Sequence, residues 1–229
     1  MSGEVIRIRT NYEMGDASAK AYREIRSRII DGTFKRGQVL PERVLCEASG
    51  VSRTPVREAL RLLDSERMVI LSSNRKAYVP IIDHQEIEDV FSLATLLGNY
   101  SARIAARNIS ESGLDELLAL VDQKDALLLR GDDDLPKAFI RADRLVHIII
   151  LEAVGNHRLS LTCSALMRGP ILHWAVARFT PHHFKMSTRF HREVYEALKA
   201  REPEKAETAM NDFIAVVWDA ALLIVNKSH

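Results

Sequence analysis

Residues 41–60 read PERVLCEASGVSRTPVREAL. The first part predicts a short helix from Pro41 to Ser49, because proline suits a first helical residue and Gly50 is a typical helix terminator. Ser52 follows as a residue that is typical of helix N-caps, and it opens a second, longer helix. Two helices joined by a Gly-Val-Ser turn are the layout of a helix-turn-helix unit.

The start of the second helix carries polar and cationic side chains. In a helix-turn-helix unit this end enters the major groove of DNA, and here it holds Ser52, Arg53, Thr54 and Arg57. The two arginines lie one helical turn apart, so both can point the same way. Arginine forks onto guanine or binds phosphate. The pattern indicates DNA recognition; the alternative, ordinary solvated charges, explains one arginine better than the whole set.

The flanking sequence extends this unit to a winged helix-turn-helix. A helix is predicted over residues 17–31, where apolar residues recur at helical spacing. Two short apolar segments, 68–71 and 77–79, surround a polar turn and predict a β-hairpin. The tip of this hairpin, or wing, holds Arg75 and Lys76, which we expect to follow DNA phosphates or the minor groove.

The rest of the chain predicts an all-α bundle, because its apolar residues keep helical spacing and no segment alternates like a strand. We therefore divide the chain into a DNA-binding domain, residues 1–80, and an effector-binding and dimerisation domain, residues 81–229. His182 and His183 follow a proline and are interpreted as a loop. The predicted helices cover residues 84–107, 112–130, 135–154, 159–178, 187–201 and 204–226.

Charge is distributed unevenly along the chain. The 229 residues have a formal net charge of +1 and are 47% hydrophobic. Residues 1–80 hold 15 Lys and Arg against 10 Asp and Glu, whereas the remainder holds 17 against 21, which fits a nucleic-acid module joined to a different one. No apolar run reaches the roughly 18 residues of a spanning helix and no secretory signal is seen, which predicts a cytoplasmic protein. Cys46 and Cys163 are expected to be reduced, buried thiols.

The stretch from Ala21 to Pro80, centred on GVSRTPVREALRLLDSERMV, resembles the GntR family of bacterial transcriptional regulators. The resemblance implies that Arg43 contacts operator DNA together with the polar residues at the start of the second helix. The chain departs from the family in the wing, where Lys76 stands in place of the usual glycine. The wing is therefore expected to bend differently.

Three residues of the helical half are candidate metal ligands. Asp143 and His147 are four residues apart on one predicted helix, so they share a face. His191 lies on another predicted helix that can meet them inside a bundle. One Asp and two His are a workable ligand set for Zn²⁺ or a similar divalent ion. The spacing alone is more typical of a hydrogen-bonded or surface pair than of a metal site.

The helical half also resembles the ligand-binding FCD domain of the FadR-type branch of the same family, through DRLVHIIILEAVGN and FHREVYEAL. Many such domains hold one divalent metal (Zn, Ni or Mn) with one Asp and three His. Asp143, His147 and His191 match three of those positions. Phe213 stands where the fourth ligand is expected, so the resemblance implies an incomplete site.

The effector pocket is expected to differ from that of the family. Ala94 and Gly98 stand where family members often carry an Arg and a Glu, so the pocket is predicted to be more apolar or differently shaped. His173, Trp174 and Arg178 are candidates to line it. Surface or packing roles explain these three residues equally well.

Together the sequence predicts a DNA-binding transcriptional regulator, most simply a repressor. It would act as a homodimer on double-stranded operator DNA, under control of a small-molecule effector such as an organic acid. Release from DNA on effector binding is the working hypothesis, and corepression is the other option. A metal-dependent enzyme with an Asp/His/His site is the alternative from another class, and an architectural DNA binder is a third. No catalytic residues are predicted.

Overall fold

The computed structural model describes residues 14–72, 76–131 and 134–225. It divides the chain into two compact units. The first contains the described residues up to Ile82 together with the segment 165–170, and the second contains the rest. The domain boundary predicted after residue 80 lies two residues before Ile82, where this part of the first unit ends.

The first unit has three helices and a small antiparallel sheet, as expected for a winged helix-turn-helix. Its strands lie in the order β1-β3-β2; Tyr78 of the central strand pairs with both Val39 and Ile70. β2 and β3 form the predicted hairpin. β1 was not predicted, because a strand of two residues leaves no periodic pattern. The elements are α1 (Asp16–Ile30), β1 (Val39–Leu40), α2 (Glu42–Ser49), α3 (Arg53–Ser65), β2 (Ile70–Leu71) and β3 (Ala77–Tyr78).

Helix α3 packs on α1 and α2 through one apolar face. Val56, Ala59 and Leu63 on that face are fully buried. Gly50 ends α2 in the left-handed conformation, with a φ of 64°, which lets the chain turn sharply into α3 at little cost. At the other end of α3, the Tyr22 hydroxyl of α1 donates a hydrogen bond to the buried Glu66 carboxylate.

The second unit is an all-α bundle. Helix α10 packs against α4 and α9, and α5 packs against α6 and α9. α10 is long and apolar enough to span a membrane by length and composition, but 44% of its most apolar window is buried and it serves here as a core helix. The helices are α4 (His84–Asn108), α5 (Glu111–Arg130), α6 (Leu135–Val154), α7 (His157–Arg168), α8 (Pro170–Val176), α9 (Pro181–Lys199) and α10 (Pro203–Val225). The last turn of α7 and the first residue of α8 belong to the first unit.

Two predictions in the bundle were wrong. The helix expected over 159–178 is broken into α7 and α8, since Pro170 has no N–H to continue the ladder. The loop expected at His182 and His183 is instead the first turn of α9. Thr180 caps this helix: its side chain accepts from the His183 backbone N–H, and the His183 ring bonds back to the Thr180 backbone.

The two cysteines also differ from expectation. Cys46 and Cys163 are free thiols, but each is half-buried rather than buried. Burial by neighbouring side chains raises the pKa of the Cys163 thiol, which keeps it protonated at neutral pH.

Replacement of Thr180 by Ala removes the cap of α9 and is expected to lower the free energy of unfolding by about 0.5–2 kcal/mol. Thr208→Ala is the matched control, because Thr208 is exposed in the interior of α10 and its hydroxyl bonds only to the Glu204 carbonyl. It should change stability by no more than about 0.5 kcal/mol. Urea denaturation followed by circular dichroism measures both. Equal effects of the two substitutions would refute the capping role.

Candidate functional site

The first turn of α3 presents a polar surface to solvent. Ser52, Arg53, Thr54 and Arg57 are all exposed, while Val56 in the same turn is fully buried. The division follows from helical geometry, because the face that packs on α1 leaves the opposite face open. The sequence prediction of an accessible cationic helix start therefore agrees with the structure.

Arg57 is held by a partner that the sequence analysis missed. Glu42, the first residue of α2, accepts two hydrogen bonds from the Arg57 guanidinium: one from Nε at 2.7 Å and one from Nη2 at 3.1 Å. The hydrogen bond and charge of Glu42 raise the pKa of Arg57. The side chain stays 52% exposed, so a phosphate can reach it but must compete with Glu42. No local pattern signals this pair, because its members lie on different helices.

The other predicted DNA contacts are exposed as well. Arg43 on α2 lies at the surface and pairs with Glu47 one turn away. Ser52 stands at the N-cap position of α3 with extended backbone, but its side chain makes no capping bond, which differs from the expected cap. Lys76 is exposed beside β3, and its backbone N–H donates to the Ser72 hydroxyl. Arg75 lies outside the described residues.

The predicted ligand residues of the second unit do come together. Asp143 and His147 lie on α6, and His191 reaches them from α9. The His147 Nε2 atom is 3.8 Å from Asp143 Oδ2, and the His191 Nδ1 atom is 3.6 Å from Asp143 Oδ1. The centroids of the two imidazole rings are 5.4 Å apart.

A fourth residue, Lys124 of α5, occupies the centre of this cluster. Its side chain is fully buried, and its Nζ atom lies 2.8 Å from Asp143 Oδ1, 2.5 Å from His191 Nδ1 and 3.3 Å from Ser187 Oγ. Sequence reasoning missed it, although a signal exists: Lys124 continues the buried stripe of Leu117 and Val121 at helical spacing.

These residues do not fit a divalent metal. The Lys124 ammonium sits against both Asp143 and His191. The Phe213 ring stacks on His191 with centroids 4.0 Å apart, and it stands where the family resemblance places the fourth ligand. Burial lowers the pKa values of Lys124, His147 and His191, and the charge of Asp143 opposes this shift at Lys124 and His147. Among residues 14–72, 76–131 and 134–225, no group of three or more His, Cys, Asp or Glu side chains is arranged to hold a metal ion.

The candidate effector residues lie outside the groove that α5, α9 and α10 form. His173, Trp174 and Arg178 are half-buried in and after α8, and none of them lines the groove of about 1020 Å³ that α5, α9 and α10 form. At Gly98, an added Cβ would lie 2.7 Å from Ile214 Cδ1. Side chains of α10 thus fill the space in which the family resemblance expected a Glu.

Comparisons with known proteins agree with this geometry. Residues 17–79 match the family described as bacterial regulatory proteins, gntR family, and residues 89–216 match the FCD domain. The chain belongs to the GntR family. The prediction of a winged helix-turn-helix followed by a helical domain is confirmed, and this GntR regulator is a DNA-binding transcriptional regulator rather than an enzyme.

Named relatives and one solved structure support the assignment. The regulator is 26% identical to the Glc operon transcriptional activator of Escherichia coli K12 over 82% of each chain. It is 30% identical to the gluconate operon transcriptional repressor of Bacillus licheniformis, over 58% of this chain and 53% of the relative. E. coli McbR/YncC has the same fold, with a TM-score of 0.71 and 23% identity over 90% of this chain and 99% of that one.

Replacement of Glu42 by Gln is expected to release the Arg57 guanidinium for DNA phosphate. The slope of log Kd against log salt for a non-specific duplex should then steepen by about 0.9, the value of one further phosphate contact. Fluorescence anisotropy with a labelled duplex measures the slope. Glu88→Gln, which removes an exposed negative charge from α4, controls for net charge. An equal slope in both variants would show that Glu42 does not restrain Arg57.

Proposed function

We propose that this GntR regulator is a cytoplasmic homodimeric repressor. It binds a two-fold operator through the exposed start of α3 and releases it when a small molecule binds in the FCD domain. The observation that carries the proposal is the open cationic surface at the first turn of α3.

Arg53 is the principal base-reading residue in this proposal. It is exposed, and within the described part of the chain it has no ion-pair partner among the salt bridges of the structure. Arg57 lies one turn further along the same face but shares its charge with Glu42. We therefore assign the base contact to Arg53 and phosphate contacts to Arg57, Arg43 and Lys76.

An exposed apolar stripe on α4 supports the homodimer. Leu93, Leu96 and Tyr100 are 49%, 66% and 48% exposed, and their spacing places them on one face of the helix. Large apolar side chains that are grouped in this way mark an interaction surface. A second copy of the chain is the occupant that we assign to it, because operators of helix-turn-helix proteins repeat with the two-fold symmetry of their dimers.

Repression followed by release is the sign of control that we assign. Relatives carry names of both kinds, including the gluconate operon repressor and the Glc operon activator. Repression followed by release needs only that the effector binds the free dimer more tightly than the operator-bound one. The gluconate operon name supports an organic acid as the class of effector.

Replacement of Arg53 by Ala is expected to weaken operator binding by about 1–3 kcal/mol, roughly 5- to 150-fold, and to relax base preference at one position of each half-site. The operator is obtained by selecting duplexes from a random library with the purified protein. Arg107→Ala serves as the control, because Arg107 is an exposed arginine at the end of α4. An unchanged affinity and unchanged selected sequence would contradict the assignment.

Replacement of Leu96 by Glu is expected to convert the dimer to a monomer, because it buries a charge at the centre of the α4 stripe. Light scattering on a sizing column should give the 25.9 kDa mass of one chain instead of twice that value. Leu129→Glu is the matched control: Leu129 is 89% exposed but lies on α5. Dissociation by the control alone would place the interface elsewhere.

A further inference from the structure

We propose that the Lys124 ammonium is the resident cation of the FCD core. It binds Asp143, His191 and Ser187 in the interior of the bundle, so that this sensor domain is built and folds without a metal. The inference concerns the second unit alone and does not depend on the sign of regulation or on the effector.

The hydrogen-bonding capacity of the ammonium is fully used. A lysine ammonium has three N–H donors and no acceptor. Three acceptors lie within range of Lys124 Nζ: Asp143 Oδ1, His191 Nδ1 and Ser187 Oγ. The ring of Phe139 covers a further side, with its centroid 4.2 Å from the nitrogen. A buried charge persists when it is both paired and hydrogen-bonded, and both conditions hold here.

The charge balance of the cluster disfavours a second cation. Asp143 is the acidic member of the cluster and is 5% exposed, and the Lys124 side chain against it is fully buried. Burial lowers the pKa of Lys124, but the charge and hydrogen bond of Asp143 oppose that shift, and the protonated lysine compensates the negative charge of the carboxylate. A divalent ion on the same carboxylate would add two positive charges beside the ammonium in a medium of low dielectric constant, which is strongly unfavourable.

Phe213 removes the remaining donor. Its ring lies 4.0 Å from the His191 ring and 5.1 Å from the His147 ring, measured between centroids. Within the described residues, the buried Nε2 atom of His191 has no hydrogen-bond partner. The lysine at 124 and the phenylalanine at 213 thus act together: one supplies a cation, and the other closes the position from which a ligand would come.

The ammonium also ties three helices together. Lys124 projects from α5, Asp143 from α6, and Ser187 with His191 from α9. The lysine therefore joins α5 to the two helices that carry Asp143, Ser187 and His191. The arrangement is a structural centre of the bundle.

Metal loading is the first test. Untagged wild-type protein is incubated with Zn²⁺ and dialysed. Bound zinc is then measured by inductively coupled plasma mass spectrometry. We expect fewer than about 0.1 ions per chain and a melting temperature that neither Zn²⁺ nor EDTA changes. The variant with Lys124→Ala and Phe213→His gains room and a fourth donor. We expect it to bind about one ion, at least about tenfold more tightly than wild type, and to melt higher with Zn²⁺.

The result that would overturn the proposal is about one zinc per wild-type chain, together with a melting temperature that EDTA lowers. The wild-type arm decides the question even if the double variant does not fold. DNA binding is not a readout in either arm, so the outcome is independent of the proposed regulatory function.

Charge pairing is the second test. Lys124→Met leaves Asp143 buried without its cation and should lower the melting temperature by about 6 °C or more. Adding Asp143→Asn to the Lys124→Met variant removes the unpaired carboxylate charge and should restore part of the lost melting temperature. Lys137→Met, at an exposed lysine of α6, is the matched control and should have little effect. If the Lys124 and Lys137 variants melt alike, or if the second substitution lowers stability further, the ammonium is not the centre of the core.

Discussion

The division of α3 into two faces is the constraint on which the regulator depends. Val56, Ala59 and Leu63 are withdrawn from water by packing on α1 and α2, and this burial fixes the rotation of the helix. The same rotation turns Arg53 and Arg57 outward. Hydrophobic packing on one side therefore positions the DNA-reading surface on the other. The ion pair between Glu42 and Arg57 then reduces the positive charge that Arg57 presents to DNA phosphate.

Local patterns in the sequence predicted most of the fold. Turn and cap chemistry around Gly50 and Ser52 located the helix-turn-helix, and apolar spacing placed α4, α5 and α6 within a residue or two of their observed bounds. The failures have local causes. A two-residue strand has no period, and Pro170 interrupts a helix whose apolar pattern continues across it. The first turn of α9 was missed because a proline before two histidines was interpreted as a break, although Thr180 before Pro181 is typical of a helix start.

The candidate sites were predicted less completely, because they depend on pairs that are distant in sequence. Asp143, His147 and His191 were identified by spacing and resemblance, but Lys124 was not, and it changes the chemistry of the whole cluster. The difference between a metal centre and a lysine-centred ion pair rests on two side chains, Lys124 and Phe213. A chain of this family can thus keep the Asp and His residues while a lysine side chain, and not a bound metal ion, supplies the cation beside them. Each such case must be settled by the contacts and not by the motif alone.

Hydrogen–deuterium exchange of the full-length chain, with and without its selected operator duplex, tests the central claim most directly. The account predicts that operator binding slows exchange most in peptides covering residues 41–57, where the start of α3 and the facing end of α2 would be shielded. Protection confined to peptides between residues 83 and 225, or none at all under conditions in which the duplex is bound, would contradict it.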